Sequence, residues 1–122
     1  QTYLDMFTAT GTYANRFVEV FAAINQAEEL LGLATLVDDD ELPGAIEPGP
    51  WLAAVFVVPE ARKLGVGSAL VDHVVSRSRE LGYAELFLYT EYQDQWYQKK
   101  GWSYLRETLF NDIKHVVMQI SP

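Results

Sequence analysis

Residues 51–58, WLAAVFVV, form an unbroken apolar run that Pro59 ends. Strict alternation would mark a strand with one wet face. A continuous run marks a strand buried on both faces, inside a sheet that has cover on each side. From Val66 the period changes. Val66, Leu70, Val74 and Leu81 fall on one helical face with Val71 and Val75 beside it, and Gly82 supplies a stop. Residues 84–90, AELFLYT, return to strand character. Strand, helix, strand over residues 51–90 is a βαβ unit, whose outer strands lie parallel and are joined by a right-handed crossover. A chain built around such a unit is an α/β protein.

The flanking segments add antiparallel strands. Residues 17–24 (FVEVFAAI) and 30–37 (LLGLATLV) are β-branched and aromatic or aliphatic, and the polar turn at 25–29 lets them pair as a hairpin. Residues 93–100 read as a short helix closed by Gly101. Residues 102–107 and 114–120 read as a closing antiparallel hairpin with Asn111-Asp112 in its turn. The weakly patterned stretch at 2–9 reads as a short helix stopped by Gly11. Residues 38–50, DDDELPGAIEPGP, are a loop with four consecutive acids, three prolines and two glycines. Such a loop either has a function or is a solvated connection. The expectation is one domain over residues 1–122, a mixed sheet with one parallel junction at its centre.

Composition narrows the chemistry. Cysteine is absent, which excludes disulfides, thiolate metal sites and a cysteine nucleophile. A formal net charge of −8 argues against a broad nucleic-acid surface, which needs clustered Lys and Arg, and suits a small cationic partner. No apolar run reaches the roughly 18 residues of a membrane span, and nothing at the start reads as a signal peptide. A cytoplasmic location is the expectation. The first residue is Gln1, so the translated start is expected to lie upstream.

Within this acidic chain, residues 61–74 (ARKLGVGSALVDHV) place Arg62 and Lys63 directly before Gly65-Val66-Gly67, between a strand and a helix. The first turn of a helix leaves backbone N–H groups without partners and carries the positive end of the macrodipole. Glycines keep the approach free of Cβ atoms. The elbow therefore reads either as a cradle for phosphate or pyrophosphate or as a tight turn whose glycines serve packing. The P-loop pattern is excluded because no Gly-Lys-Ser/Thr follows. The dinucleotide fingerprint is excluded because its third glycine would fall at Leu70.

The stretch VFVVPEARKLGVGSALVDHV resembles the central motif of the GNAT superfamily of acyl-CoA-dependent N-acyltransferases, Arg/Gln-x-x-Gly-x-Gly/Ala, here at Arg62, Gly65 and Gly67. A second segment, LYTEYQDQWYQKKGW, resembles the family's later strand–helix segment ending in Tyr-x-x-x-Gly-aromatic, here at Tyr97, Gly101 and Trp102. The final HVVMQI resembles its last strand. The resemblance implies a GNAT-like mixed sheet whose central parallel pair splays apart, lacking the family's first strand and part of its N-terminal helices. A homodimer is compatible with that shortfall.

The resemblance further implies acetyl-CoA as cosubstrate, with no metal, and a primary amine as acceptor. Its pyrophosphate would rest on the amides of Lys63, Leu64, Gly65, Val66, Gly67 and Ser68, beside Arg62, with the Ser68 hydroxyl a further donor. The pantetheine arm would add to the strand edge at Phe56, Val57 and Val58. Thr90 stands where the family often has Asn, and Lys100 or Lys99 is a candidate for the ribose phosphate. Tyr97 matches the general acid, since a phenol with reference pKa about 10 carries its proton at neutral pH. The base is not placed: WLAAVFVV has no carboxylate, which leaves water, Glu19 or Glu91. His73 and His115 read as structural or surface groups, and residues 38–41 as a solvated acidic loop. A non-catalytic acyl-CoA-binding or protein-interaction module of the same fold is the alternative function.

Overall fold

The computed structural model describes residues 5–13, 16–38 and 42–122, with side chains from residue 18 onward. Seven strands form one sheet: β1 (Asp5–Tyr13), β2 (Arg16–Ile24), β3 (Leu30–Val37), β4 (Trp51–Val57), β5 (Leu86–Thr90), β6 (Ser103–Phe110) and β7 (Ile113–Ile120). Their order is β1-β2-β3-β4-β5-β7-β6. Every neighbouring pair is antiparallel except β4–β5, the outer strands of the βαβ unit. Its crossover helix is α1 (Val66–Glu80), and a short α2 (Asp94–Lys99) follows β5.

Two expectations are corrected. Residues 5–9 are strand and not helix, and Gly11 lies inside β1, opposite Val18. Threonine at every second position (Thr8, Thr10, Thr12) in DMFTATGTY suits a pleated strand, and β2 supplies its hydrogen-bond partners. Residues 2–4 lie outside the described residues. The second correction concerns β4, which is not buried throughout. Trp51, Leu52 and Ala53 are buried, whereas Ala54 and Phe56 are exposed. The cause is the sheet's geometry. β4 and β5 share one paired position, Trp51 opposite Phe87, with the Phe87 N–H donating to the Pro50 carbonyl at 3.0 Å. Ala54 has φ 52° beside a break in the β3–β4 register, so a bulge bends β4 just where the parallel partners separate.

The sheet has two differently covered faces. On one, Val66, Leu70, Val71 and Val74 of α1 pack on Phe21, Ala34, Leu36, Leu52, Leu88, Val116 and Met118. On the other, Trp51, Phe87 and Val117 pack with Leu42 from the loop after β3. Glu47 of that loop makes a paired contact with Arg106 of β6 at 2.8 and 2.9 Å, and this hydrogen-bonded cation holds its carboxyl below the usual carboxylate range. Gly32 lets the first face close. A Cβ there would lie 2.6 Å from the Phe56 carbonyl oxygen and 2.9 Å from Leu70 Cδ1, so the glycine lets β3, bulged β4 and α1 meet. Among the described residues no helix is long and apolar enough to cross a membrane.

Candidate active site

After β4, a single 3₁₀ turn (Pro59–Ala61) leads to the elbow. Lys63 (φ 71°) and Gly65 (φ 80°) both take left-handed backbone conformations, which reverse the chain into α1. Nothing lies within 4 Å of a Cβ built on Gly65, so its backbone angle, and not space, calls for glycine. The Leu64 N–H donates to the Ala61 carbonyl at 3.2 Å, and the Ala69 N–H is satisfied by Gly65 at 3.0 Å. Between them, the N–H groups of Gly65, Val66, Gly67 and Ser68 have no acceptor among the described residues, and neither has that of Lys63. No side chain among the described residues caps the helix. Five open donors and the positive end of a fifteen-residue helix therefore converge on one mouth.

Gly67 discriminates between the two readings of the elbow. Its φ is not in the left-handed region, and an added Cβ would meet only Val57 Cγ2, at 3.5 Å, an ordinary contact. Neither backbone strain nor packing within the protein requires a glycine there. What the missing side chain keeps open is the cleft that Gly67 lines.

That cleft, about 790 Å³, runs from Arg62, Lys63, Gly65, Gly67 and Ser68 along Val55 and Val57 to Tyr97. Of the three residues expected to offer a strand edge, only Val57 lines it. The Val58 N–H is committed to the Leu31 carbonyl at 2.9 Å, and the Phe56 carbonyl faces Gly32 on β3. Backbone groups alternate along a strand, so Val55 and Val57 carry the edge toward the gap. Arg62 does not point freely into the mouth. Its Nε donates to the Val57 carbonyl at 3.3 Å, tying the elbow to the strand.

Lys100 is held in place as well. Its ammonium donates to the Ser68 hydroxyl, lies 2.9 Å from Asp72 Oδ1, and sits 5.5 Å over the Trp96 ring. Ser68 accepts that bond and keeps its own O–H to donate. Thr90 lies outside the cleft; its hydroxyl accepts the Gln93 N–H at 3.3 Å at the start of α2, the helix that carries Tyr97.

Tyr97 is buried, with its ring edge-on to Trp96 (4.9 Å) and Trp102 (5.7 Å). Burial pushes its phenol up to about 12, because the phenolate would be desolvated. The group therefore holds its proton at every physiological pH. It lines a second cavity too, about 430 Å³, which includes Ala53 and Ala54 of β4, Thr90, Glu91 and His115. Tyr97 thus stands where the two spaces meet, at the parting of β4 and β5.

The candidates for a base separate clearly. Glu19 is fully buried and accepts two hydrogen bonds from Arg77 of α1, at 2.8 and 2.9 Å; it braces β2 against α1 away from both cavities. Glu91 lines the second cavity, with Oε1 at 3.6 Å from His115 Nε2. His73 packs edge-on to Phe21 at 5.0 Å and lines neither space. Sequence reasoning missed His115 and Gly32. A glycine in mid-strand was a readable signal for the second, but nothing local marked the first.

Residues 3–102 match the sequence model of the Acetyltransferase (GNAT) family, and the chain belongs to that family. It is 28% identical over 88 residues to an amino-acid acetyltransferase of Pseudomonas putida, a match covering 72% of this chain and 19% of that protein. The chain thus spans about a fifth of the length of the curated relatives it matches. In fold it is similar to an aminoglycoside 6′-N-acetyltransferase complexed with coenzyme A (TM-score 0.70, 17% identity, 85% of this chain and 72% of that one). It is also similar to N-acetylglutamate synthase from Neisseria gonorrhoeae complexed with coenzyme A and N-acetyl-glutamate (TM-score 0.68, 19% identity, 84% of this chain and 25% of that one).

Proposed function

We propose that this chain is an N-acetyltransferase that moves an acetyl group directly from acetyl-CoA to a primary amine. The observation that carries the reading is Gly67, a helical glycine that the fold itself does not require, beside five unclaimed amides and a strand edge opening toward Tyr97. Coenzyme A in two relatives of the same fold supports the choice of anion.

The pyrophosphate is assigned to the amides of Lys63, Gly65, Val66, Gly67 and Ser68, with the Ser68 O–H as a further donor. The pantetheine amides are assigned to Val55 and Val57 by strand addition, and the thioester to the gap beside Tyr97. Attack by the amine on the carbonyl carbon expels sulfur. A phenol near 12 lies about 3.5 units above a thiol near 8.5, so handing over its proton alone is uphill by about 5 kcal/mol. Tyr97 therefore works as a relay: it gives its proton to sulfur while recovering one from the new C–N nitrogen. Direct transfer needs no acyl-enzyme, and the chain has no cysteine thiol to form one.

The alternative is a module that binds acyl-CoA without turnover, favoured by a β4 with no ionisable side chain. The two are separated by measuring release of free thiol from acetyl-CoA across a panel of primary amines. The enzyme releases thiol only when an amine is present. The module binds acetyl-CoA and releases none with any of them.

A further inference from the structure

The second cavity lies on the sheet face away from α1. Along β7, Val116 and Met118 point into the α1 core, while Val117 points into the other cluster; His115, two residues before Val117, shares its face. The cavity reaches Tyr97 through the gap between β4 and β5, so it approaches the proposed thioester position from the side opposite the cleft.

Among the described residues four ionisable side chains line it: Tyr89, Glu91, Tyr97 and His115. The Tyr97 phenol, pushed up to about 12 by burial, carries its proton and is an acid. His115 Nδ1 lies 2.9 Å from the Ile113 carbonyl oxygen. A carbonyl only accepts, so Nδ1 bears the hydrogen and Nε2 of the neutral ring presents its lone pair. Nε2 faces Glu91 Oε1 at 3.6 Å, too long for a hydrogen bond but close enough to stabilise a cationic ring. The imidazole is fixed between Tyr89 (5.6 Å) and Phe110 (5.7 Å), and its side chain is 10% exposed. From β6, uncharged Thr108 lies opposite it, and the next cation along that strand, Arg106, is bound to Glu47.

We infer that this cavity admits the acceptor amine and that His115 is the base that deprotonates it, with Glu91 stabilising the imidazolium. The inference rests on the acetyl-transfer reading above. An ammonium R–NH₃⁺ gives one proton to Nε2 and becomes R–NH₂. Its lone pair forms the C–N bond as the C–S bond breaks, and the electron pair of that bond leaves on sulfur. Tyr97 protonates the sulfur and takes the second proton from nitrogen, and the imidazolium returns its proton to water. The balance is ammonium plus thioester to amide plus thiol plus one proton. The acidic rim at Glu91 matches a cationic acceptor.

The test measures amine-dependent thiol release and its pH profile for the wild-type chain, His115→Gln and Glu91→Gln, with acetyl-CoA affinity by titration calorimetry. His115→Gln is expected to lower kcat at pH 7 by about 10²–10³-fold, the worth of a general base. Acetyl-CoA affinity stays within about twofold, and activity returns as the pH is raised toward that at which the free amine prevails. Glu91→Gln, at an exposed position that leaves the fold intact, is expected to lose about tenfold in kcat. Wild-type kcat and pH profile in Glu91→Gln together with His115→Gln would overturn the assignment and leave acetyl transfer standing. Absence of turnover in the wild-type chain, with acetyl-CoA bound, would overturn acetyl transfer itself and this base with it.

Discussion

Replacing Gly67 by alanine adds one methyl group to the first turn of α1, at a position lining the cleft. The methyl would sit 3.5 Å from Val57 Cγ2, a normal contact, and the backbone angle there is one alanine adopts without strain. A glycine within a helix costs about 0.5–1 kcal/mol relative to alanine, mostly through the freedom it has in the unfolded chain. The variant is therefore expected to be more stable than the wild type by about that amount, read from urea unfolding with an unchanged m-value. The same methyl is added at the cleft that Gly67 and Ser68 line, where the proposed pyrophosphate site needs close approach to their amides. Losing two charge-assisted bonds at about 1.5–3 kcal/mol each, with partial accommodation, predicts acetyl-CoA binding weaker by at least tenfold. Calorimetric titration measures it. A variant that gains stability and binds acetyl-CoA as tightly as the wild type would refute the assignment of the elbow as the pyrophosphate site. A variant that loses stability would show that the glycine serves packing.

Tyr97→Phe keeps the ring contacts with Trp96 and Trp102 and removes only the hydroxyl, so folding at pH 7 is expected to change by less than about 1 kcal/mol while kcat falls about 10²–10⁴-fold. Because the folded phenol titrates near 12 and the unfolded one near 10, burial penalises only the phenolate, and the wild type undergoes a loss of stability as the pH rises from 10 through 12. It amounts to about 2.7 kcal/mol, a decline that the Phe variant lacks. Comparing the two proteins by urea unfolding across that window checks the sign. Arg77→Met leaves the fully buried Glu19 without this counter-ion, and a buried carboxylate so treated costs about 3–5 kcal/mol. An unchanged urea midpoint at pH 7 would count against the bracing role.

What was legible in the sequence was what local spacing encodes. β3 and α1 begin where the pattern places them, because β-branched runs and a 3.6-residue apolar stripe report the surface each element buries. The βαβ order required a parallel junction, and the elbow between Arg62 and Ser68 followed from glycines beside a basic pair. β1 was misread because its alternation is carried by threonines and not by strong hydrophobes. The apolar run of β4 could not report that its second half faces an open gap, since apolar side chains at a binding cleft look like core side chains. Pairings across the chain were invisible for the same reason. Glu19 meets Arg77 and His115 meets Glu91 because the sheet brings them together, and no spacing along the chain records it.

In the proposed reaction acetyl moves from its thioester to nitrogen in one step within this site. Incubating the chain with acetyl-CoA carrying a ¹³C-labelled acetyl group and a primary amine, then quantifying products by mass spectrometry, tests it most directly. Labelled N-acetyl amine is expected in an amount equal to the free thiol released, with no label on the protein. Acetyl-CoA bound but unconsumed across the amine panel, or thiol released with the label appearing as acetate, would contradict it.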